Sequence, residues 1–239
     1  MNRTGARRII FITGTDTGVG ETLLTRLLLH HLRQSGCHTL AMKLFCSDSR
    51  ADAELLCAVQ DDELPLDAIN PVFFAEPFAP LVAARKHQCS IHVTEVLRQI
   101  TRVANRYECS LIKGISGVIV PPGNGFTVLD LVSKLRCGAI VVSRNRLGTI
   151  NYAMLTIGAL QAGGIERLKI MLMSSPRADS SGASNSRMLS ELLAPAPVCE
   201  MPFLERNPSW LEALKTSEKK LKKLLRRFWL KIFSPPRSL

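Results

Sequence analysis

A glycine-bearing loop near the amino terminus contains the clearest group of residues that could do chemistry. The loop follows an apolar run and precedes a leucine-rich stretch. In this setting, backbone N–H groups at the start of a helix surround a polyphosphate, and a hydroxyl at the end of the loop binds Mg²⁺. The sequence therefore predicts a phosphate site at the consecutive residues Gly14, Thr15, Asp16, Thr17, Gly18, Val19, Gly20, Glu21 and Thr22, with the hydroxyl on Thr22.

The loop departs from the strict phosphate-loop pattern in its frame and in one charge. Five residues separate Gly14 from Gly20, so the eight-residue pattern begins at Thr15, and Glu21 occupies the position of the usual lysine. Two unit charges about 4 Å apart interact by about 4 kcal/mol at an effective dielectric constant of ~20. Replacing an attractive lysine by a repulsive glutamate therefore weakens phosphate binding by orders of magnitude. A plain strand–turn–helix is the alternative, but the flanking apolar segments favour phosphate-loop ancestry.

The elements that must position this loop alternate regularly along the chain. Strands are predicted at Arg8–Thr13, His38–Lys43, Ser110–Ile112, Ala139–Ser143 and Lys169–Met173. Helices are predicted at Thr22–Gln34, Ala51–Val59, Ile91–Arg106, Thr127–Leu135, Thr149–Ala162 and Met188–Leu193, and an irregular proline-rich connection at Pro65–Pro80. This alternation predicts an α/β fold of the P-loop NTPase type, a doubly wound, mostly parallel sheet with helices on both faces and ligand groups at the carboxyl ends of its strands.

Composition favours a single cytoplasmic domain with a carboxyl-terminal tail. The 239 residues are 46% hydrophobic, without the ~18-residue apolar run of a membrane-spanning helix. Seven scattered cysteines without a CxxC pair argue against a disulfide framework and a zinc site, and they fit a reducing cytoplasm. We expect a domain over residues 1–207 and a tail over residues 208–239.

The tail contains most of the excess positive charge. Nine of the 31 basic residues and one of the 20 acidic residues lie between Lys215 and Leu239, so this segment carries +8 of the net charge of +11. The nearly balanced body gives no reason to expect a nucleic-acid partner. An apolar stripe in the tail, Leu221, Leu225, Phe228 and Ile232, has helical spacing. Such a helix can bind an anionic membrane surface or pack on the domain, and we favour packing.

Several segments together resemble the dethiobiotin synthetase family, from about Arg8 to about Leu204. The loop GTDTGVGET is similar to the family's GTDTxVGKT, and further similar segments follow in the same order. Those segments are Met42-Lys43 with Ser47, Ala51–Ala53, Asn70–Pro77, Val120–Pro122 and Arg146–Tyr152. Each segment alone is a weak signal, and only their combination is specific to the family.

The resemblance implies an ATP-dependent ligase of biotin biosynthesis. In this family an amine of 7,8-diaminopelargonic acid and CO₂ form a carbamate, which ATP phosphorylates with Mg²⁺. The neighbouring amine then displaces phosphate and closes the ring. Such a protein supplies positioning and neutralisation of charge rather than a covalent nucleophile. The expected ligands are therefore ATP, Mg²⁺, 7,8-diaminopelargonic acid and CO₂.

The resemblance also implies roles for individual residues. Lys43 and Thr17 would be catalytic, because Lys43 would stabilise the carbamate and the transferring phosphoryl group and Thr17 would lie beside the phosphates. Thr22 and Asp52 would bind Mg²⁺, and Ser47 would contact the substrate. A helix start at Gly148, Thr149, Ile150 and Asn151 would receive the substrate carboxylate from the neighbouring subunit, which implies a homodimer.

The chain differs from the family at several ligand-binding positions. The largest difference is an exchange of charges, since Glu21 replaces the loop lysine and Lys113 replaces a glutamate that helps to hold Mg²⁺ in the family. The other differences at ligand positions are Leu44, Asp48, Ile115, Tyr152 and Ser174. We expect Glu21 and Lys113 to face each other and to pair, because pairing reduces the cost of burying either charge.

Such a pair leaves two outcomes open. Lys113 could reach the phosphates in place of the missing lysine, which would leave weak catalysis. Alternatively, the pair could fill the phosphate pocket and block ATP, which we favour because Glu21 stays inside the loop in either case. The corresponding functions are a cyclo-ligase and a catalytically silent family member that binds a ligand or a partner subunit.

Overall fold

The computed structural model describes residues 8–176, 180–204 and 218–233. Its strands are β1 (Arg8–Gly14), β2 (Thr39–Lys43), β3 (Phe45–Ser47), β4 (Val72–Phe74), β5 (Cys109–Lys113), β6 (Gly138–Arg144), β7 (Leu168–Met173) and β8 (Val198–Met201). Its helices are α1 (Glu21–Gln34), α2 (Ala51–Val59), α3 (Leu66–Ile69), α4 (Pro80–Lys86), α5 (Val93–Ala104), α6 (Val128–Leu135), α7 (Thr149–Ala162), α8 (Gly182–Leu192) and α9 (Glu218–Phe233).

A six-stranded parallel sheet in the order β2-β5-β1-β6-β7-β8 forms the centre of the fold. Strand β1 lies between β5 and β6, and its residues Phe11 and Ile12 are fully buried. The sequence of β1 is apolar on both faces because helices must cover both sides of a parallel sheet. The parallel sheet and the P-loop NTPase-like fold are confirmed.

The chain reverses its direction across the sheet at β1. It first moves from β1 to β2 on one side and later from β6 to β7 and β8 on the other. Because crossover connections between parallel strands are right-handed, α1 lies on one face of the sheet and α7 and α8 lie on the other. The loop after β1 therefore opens at the point where ligands bind in doubly wound folds.

Several elements differ from the sequence predictions, which lacked β3, α3, β4, α4 and β8 and placed the start of α8 at Met188 instead of Gly182. The segment Pro65–Pro80, expected to be irregular, contains α3 and β4, and β4 pairs in parallel with β3 in a separate two-stranded sheet. Strand β8 was also not predicted. Both β3 and β4 have only three residues, which is too short to produce a periodic pattern. The small sheet matters for function because β3 ends at Ser47.

Helix α9 in the tail packs against α1. Leu221, Leu225 and Phe228 of its apolar stripe are buried, whereas the charged residues Lys222, Lys223, Arg226 and Arg227 are exposed. The Lys169 ammonium on β7 donates a hydrogen bond to the carbonyl oxygen of Phe228 and lies 4.8 Å from the centre of its ring. The stripe is thus covered by the domain, as favoured from the sequence. The side chain of Ile232 and the proposed boundary at residue 207 lie outside the described residues.

Candidate functional site

A cavity of about 500 Å³ opens at the carboxyl ends of β1, β2 and β5. Its walls include nine of the residues predicted for the site, namely Thr17, Gly18, Gly20, Glu21, Thr22, Lys43, Ser47, Asp52 and Lys113. Phe45, Phe78, Ala79, Pro80, Ile115 and Ser116 complete the lining. The structure therefore brings together residues from the loop, two strand ends, β3 and the start of α2.

Backbone geometry fixes the shape of the loop between β1 and α1. The backbone N–H group of Thr15 donates to the Val142 carbonyl at 2.9 Å, and its hydroxyl donates to Ser143 at 3.0 Å. Gly20 has a φ of 110°, a left-handed conformation that favours glycine, and its carbonyl accepts the first helical hydrogen bond from Leu24. The loop also receives a 2.8 Å hydrogen bond from Arg144 at the Gly18 carbonyl.

The remaining predicted loop residues support the loop and do not line the cavity. Val19 is buried in the core, while Asp16 accepts a 2.7 Å hydrogen bond from the backbone N–H group of Thr17. Gly14 forms the end of β1, and its carbonyl accepts a hydrogen bond from Gly117 at 3.0 Å. These contacts tie the loop to the strand ends on both sides.

The Glu21 side chain folds back into the loop. Only 4% of Glu21 is exposed, and a Cβ atom at Gly14 would lie 2.8 Å from the Glu21 carboxyl carbon. One carboxylate oxygen accepts a hydrogen bond from the Ser116 hydroxyl, while the other is buried without a hydrogen-bond partner. The carboxylate therefore occupies space directly against Gly14, on the inner side of the loop.

Lys113 forms its ion pair with Asp52. The Lys113 ammonium lies 3.0 Å from the Asp52 Oδ2 atom, and the same oxygen accepts the Thr22 hydroxyl hydrogen at 2.7 Å. The expected direct pair between Glu21 and Lys113 is thus wrong. The physical reason is that Asp52, at the start of α2, points toward the end of β5, while Glu21 bonds to Ser116 in the loop after β5.

Glu21 still acts on Lys113 through its charge. Burial by itself would lower the pKa of the Lys113 ammonium, but the negative charges of Glu21 and Asp52 raise this pKa above its ordinary value. For Asp52, burial opposes ionisation, but the Lys113 charge and the Thr22 hydrogen bond lower the pKa of the carboxyl group. Lys113 and Asp52 therefore favour each other's charged states, and the negative charge of Glu21 adds to the stabilisation of the Lys113 ammonium.

The surroundings of Lys43 lower the pKa of its ammonium, whereas those of Lys113 raise it. Lys43 donates a 3.2 Å hydrogen bond from its ammonium to the Gly114 carbonyl, and its backbone is in register with Lys113 on the neighbouring strand. Burial and the positive charge of Lys113 lower the pKa of Lys43 to about 8. The buried Asn70 side chain fixes this strand end by donating to the Lys43 carbonyl at 2.8 Å.

The predicted carboxylate-binding segment does not line this cavity. It forms the first turn of α7, where Gly148 has a φ of 90° and Thr149 is buried with its hydroxyl bonded to the Arg144 carbonyl. Asn151 is exposed, as is Leu147 just before the helix. A role for this segment in a neighbouring subunit therefore stays a prediction.

Sequence reasoning missed three of the residues that line the cavity. Ser116, which bonds to Glu21, lies in a glycine-containing loop whose conformation the sequence did not specify. Phe45 and Phe78 form apolar parts of the wall. The signal for Phe78 was its place directly after the Asn70–Pro77 motif, and Phe45 had no signal beyond its closeness to Lys43.

Comparison with known proteins decides the family. The sequence matches the AAA domain family over residues 8–206. It is 31% identical over 191 residues to the ATP-dependent dethiobiotin synthetase BioD of Akkermansia muciniphila, covering 80% of this chain and 90% of the relative. The chain belongs to the dethiobiotin synthetase family. The same named protein of Bacillus velezensis is 32% identical over 209 residues, with 84% of this chain and 86% of the relative covered.

Solved structures of more distant proteins share the fold of this dethiobiotin synthetase family member. A ParA family ATPase from Chlorobium tepidum TLS superimposes with a TM-score of 0.59 at 16% identity, covering 94% of this chain and 99% of that one. The MinD cell division protein of Aquifex aeolicus gives a TM-score of 0.58 at 16% identity, with 97% and 100% covered. At this identity the likeness concerns the fold alone.

The side chains at the expected magnesium position do not fit a magnesium ion. Mg²⁺ takes oxygen ligands in octahedral geometry. Here Thr22 and Asp52 supply oxygens, but the Lys113 ammonium is bound to the same Asp52 oxygen that the Thr22 hydroxyl contacts. Among the described residues, no group of three or more acidic, histidine or cysteine side chains is placed to hold a metal. The phosphate loop is also altered, because it holds a buried carboxylate oxygen of Glu21 without a partner.

Proposed function

We propose that this protein has the site of a dethiobiotin synthetase-type cyclo-ligase, in which ATP-dependent ring closure is weak. The substrates would be 7,8-diaminopelargonic acid and CO₂, as the names and similarity of the relatives suggest. The observation that carries the proposal is the position of Lys43, which lines the cavity together with Ser47 and residues of the loop. This is the position at which the resemblance expects a carbamate.

The residues of the site would act by positioning and by neutralising charge. After an amine of the diamine adds to CO₂, the Lys43 ammonium would face the carbamate anion, and Ser47 would offer a hydroxyl to the substrate. Transfer of a phosphoryl group from ATP makes the carbamate oxygen a leaving group. The second amine then attacks the carbonyl carbon, phosphate leaves, and the ring closes. The start of α7 would serve the substrate carboxylate of a neighbouring subunit in a homodimer.

Glu21 is the reason for weak turnover. Its carboxylate lies on the inner side of the loop, against Gly14, and repels a polyphosphate where a lysine would attract it. The repulsion of two unit charges about 4 Å apart is about 4 kcal/mol at an effective dielectric constant of ~20, which corresponds to roughly a thousand-fold in affinity. Lys113 offsets this only partly, because its ammonium is bound to Asp52.

The decisive experiment measures conversion of the diamine by the purified protein with ATP, MgCl₂ and bicarbonate. We expect slow, ATP-dependent formation of dethiobiotin, detected by mass spectrometry with ¹³C-labelled bicarbonate. The Lys43→Met variant should abolish the product, whereas Lys134→Met, which changes an exposed lysine on α6, should not. Label incorporation that persists in Lys43→Met, or that does not require ATP, would contradict the proposal.

A second candidate is a catalytically silent family member that binds a ligand or a partner subunit. The observation that favours it is the buried carboxylate oxygen of Glu21, which occupies the loop without a hydrogen-bond partner. Under this alternative the diamine still binds, and calorimetry detects it, while no labelled product forms at any ATP concentration. The two candidates are thus separated by binding of the diamine without turnover.

A further inference from the structure

We propose that the Lys113 ammonium is a built-in cation that takes the place of a divalent metal ion, so that this site works without Mg²⁺. The inference is independent of whether ring closure occurs, because it concerns only the cation that the site holds. It rests on three groups that meet at one point in the cavity, the Thr22 hydroxyl, the Asp52 carboxylate and the Lys113 ammonium.

The geometry places the ammonium on the Asp52 oxygen, one of the ligand oxygens that the resemblance expects to hold a metal. Asp52 Oδ2 is 3.0 Å from the Lys113 nitrogen and 2.7 Å from the Thr22 hydroxyl oxygen. An ammonium is a compact point charge with three donors, which suits a small cluster of oxygen acceptors. The position therefore already has a cation bonded to the acceptor oxygen that a metal ion would need.

The ammonium is held in place by the fold. Lys113 is the last residue of β5, every residue of this strand is buried, and the strand lies between β1 and β2. Only 5% of Lys113 is exposed, so its charge is largely shielded from water and depends on the Asp52 carboxylate for compensation. A metal ion that displaced it would leave a buried ammonium beside Lys43 without its Asp52 partner, which is costly.

The charges of the site also balance without a metal. The formal charges are negative on Glu21 and Asp52 and positive on Lys113, and Lys43 adds a positive charge when it is protonated. A divalent cation added to this group would meet two like charges at close range. The anionic ligand that this arrangement suits is a carboxylate, carbamate or phosphate that contacts the two lysines directly.

The test uses Mn²⁺ as a paramagnetic probe, because free Mn²⁺ is counted directly by electron paramagnetic resonance. We expect the unmodified protein to bind no Mn²⁺ up to about 1 mM, and Lys113→Glu to bind it at least about tenfold more tightly, because a second carboxylate joins Asp52 and the Thr22 hydroxyl as ligands. Mg²⁺ should compete for the gained site. The control Lys134→Glu makes the same change of charge at an exposed position on α6 and should not increase the affinity for Mn²⁺.

The variant Lys113→Glu/Asp52→Asn separates a site gained in the cavity from binding elsewhere on the surface, since it should lose the gained affinity. The inference is overturned when the unmodified protein binds Mn²⁺ with a dissociation constant below about 1 mM and Asp52→Asn abolishes this binding. If Lys113→Glu does not fold, the titrations of the unmodified protein and of Asp52→Asn decide alone. Absence of a Mg²⁺-dependent shift in the melting temperature of the unmodified protein would agree with the inference.

Discussion

Lys43 and Lys113 occupy registered positions on the adjacent parallel strands β2 and β5, and both side chains reach the same cavity. Two positive charges at paired positions of neighbouring strands disfavour each other, and among the described ion pairs Lys113, but not Lys43, is bonded to a carboxylate. The proton is consequently held tightly by Lys113 and weakly by Lys43. Because of this difference, the pH dependence of the free energy of unfolding measures the electrostatic environment of Lys43.

The first prediction concerns that pH dependence. The pKa of Lys43 is lowered to about 8 from its ordinary value of 10.5 by burial and by the Lys113 charge. Between these two values the unfolded chain binds a proton that the folded protein does not, so this group increases the free energy of unfolding as pH rises. We expect Lys43→Met to lose this contribution.

Urea unfolding followed by circular dichroism at several pH values between 8 and 10 checks this prediction. The difference in unfolding free energy between the unmodified protein and Lys43→Met should shift in favour of the unmodified protein as pH rises. Lys134→Met, at an exposed position on α6, should keep the pH slope of the unmodified protein. Parallel pH profiles for the unmodified protein and Lys43→Met would show that Lys43 is not perturbed.

The second prediction concerns the exchanged charges. Glu21→Lys alone adds a third lysine beside Lys43 and Lys113, and we expect it to be poorly tolerated. The double change Glu21→Lys with Lys113→Glu should increase ATP affinity more than either single change, with a coupling of about 2 kcal/mol. Glu21 and Lys113 have no direct hydrogen bond among the described contacts. The coupling energy would therefore measure the electrostatic interaction between their charges.

A calorimetric double-mutant cycle with ATP measures this coupling. Each variant is first checked for folding by its circular dichroism spectrum and melting temperature. Strictly additive effects of the two substitutions on ATP affinity would mean that Glu21 and Lys113 are not energetically coupled. Circular dichroism of Glu21→Lys also tests the expectation that three neighbouring lysines destabilise the fold.

The third prediction concerns the packing of α9 on the domain. Leu225 is buried against the body, so Leu225→Ala should lower the free energy of unfolding by about 2–5 kcal/mol. Lys223→Ala, two residues earlier on the exposed side, should change it by less than about 0.5 kcal/mol. Equal stabilities of the two variants would show that the helix does not pack as described.

A vesicle assay addresses the alternative role of the same helix. Because the apolar stripe is covered, deletion of residues 208–239 should not change binding to anionic vesicles at physiological salt. Stronger vesicle binding by the full-length protein would favour a membrane-surface role for the exposed basic side chains.

The fourth prediction concerns the homodimer. Leu147, just before α7, and Leu155 within it are 78% and 66% exposed, and the resemblance places the start of α7 at a subunit contact that would cover such side chains. We expect a dimer in solution, and Leu155→Glu should convert it to a monomer. Light scattering at micromolar concentration tests this, with Leu192→Glu on α8 as the control. A monomer before any substitution would exclude the dimer.

Local patterns in the sequence predicted the body of the fold. The apolar run of β1, the glycines after it and the leucines of α1 each specify local structure, and the structure has all three elements in these positions. The predicted strands also sufficed to place Lys43 and Lys113 at the same edge of the sheet, because both residues end a strand and the carboxyl ends of parallel strands lie on one side. The three-residue strands β3 and β4 had no such pattern.

Partner choice within the site was not predictable from the sequence. Lys113 is 61 positions from Asp52 and 92 from Glu21, and nothing local distinguishes these two acids as partners. The choice depends on how α2 is oriented and on a hydroxyl from Ser116 that engages Glu21. Both are consequences of tertiary packing, so the expectation of a Glu21–Lys113 pair failed although the charges themselves were correctly identified.

Binding of ATP by the unmodified protein tests the central claim that Glu21 disables the phosphate loop. Equilibrium dialysis with radiolabelled ATP, with and without MgCl₂, gives the dissociation constant directly. We predict a dissociation constant above about 1 mM that MgCl₂ does not lower, since a carboxylate lies against Gly14 and the Lys113 ammonium is bonded to Asp52. A dissociation constant of about 10 µM or lower, dependent on MgCl₂, would contradict the account.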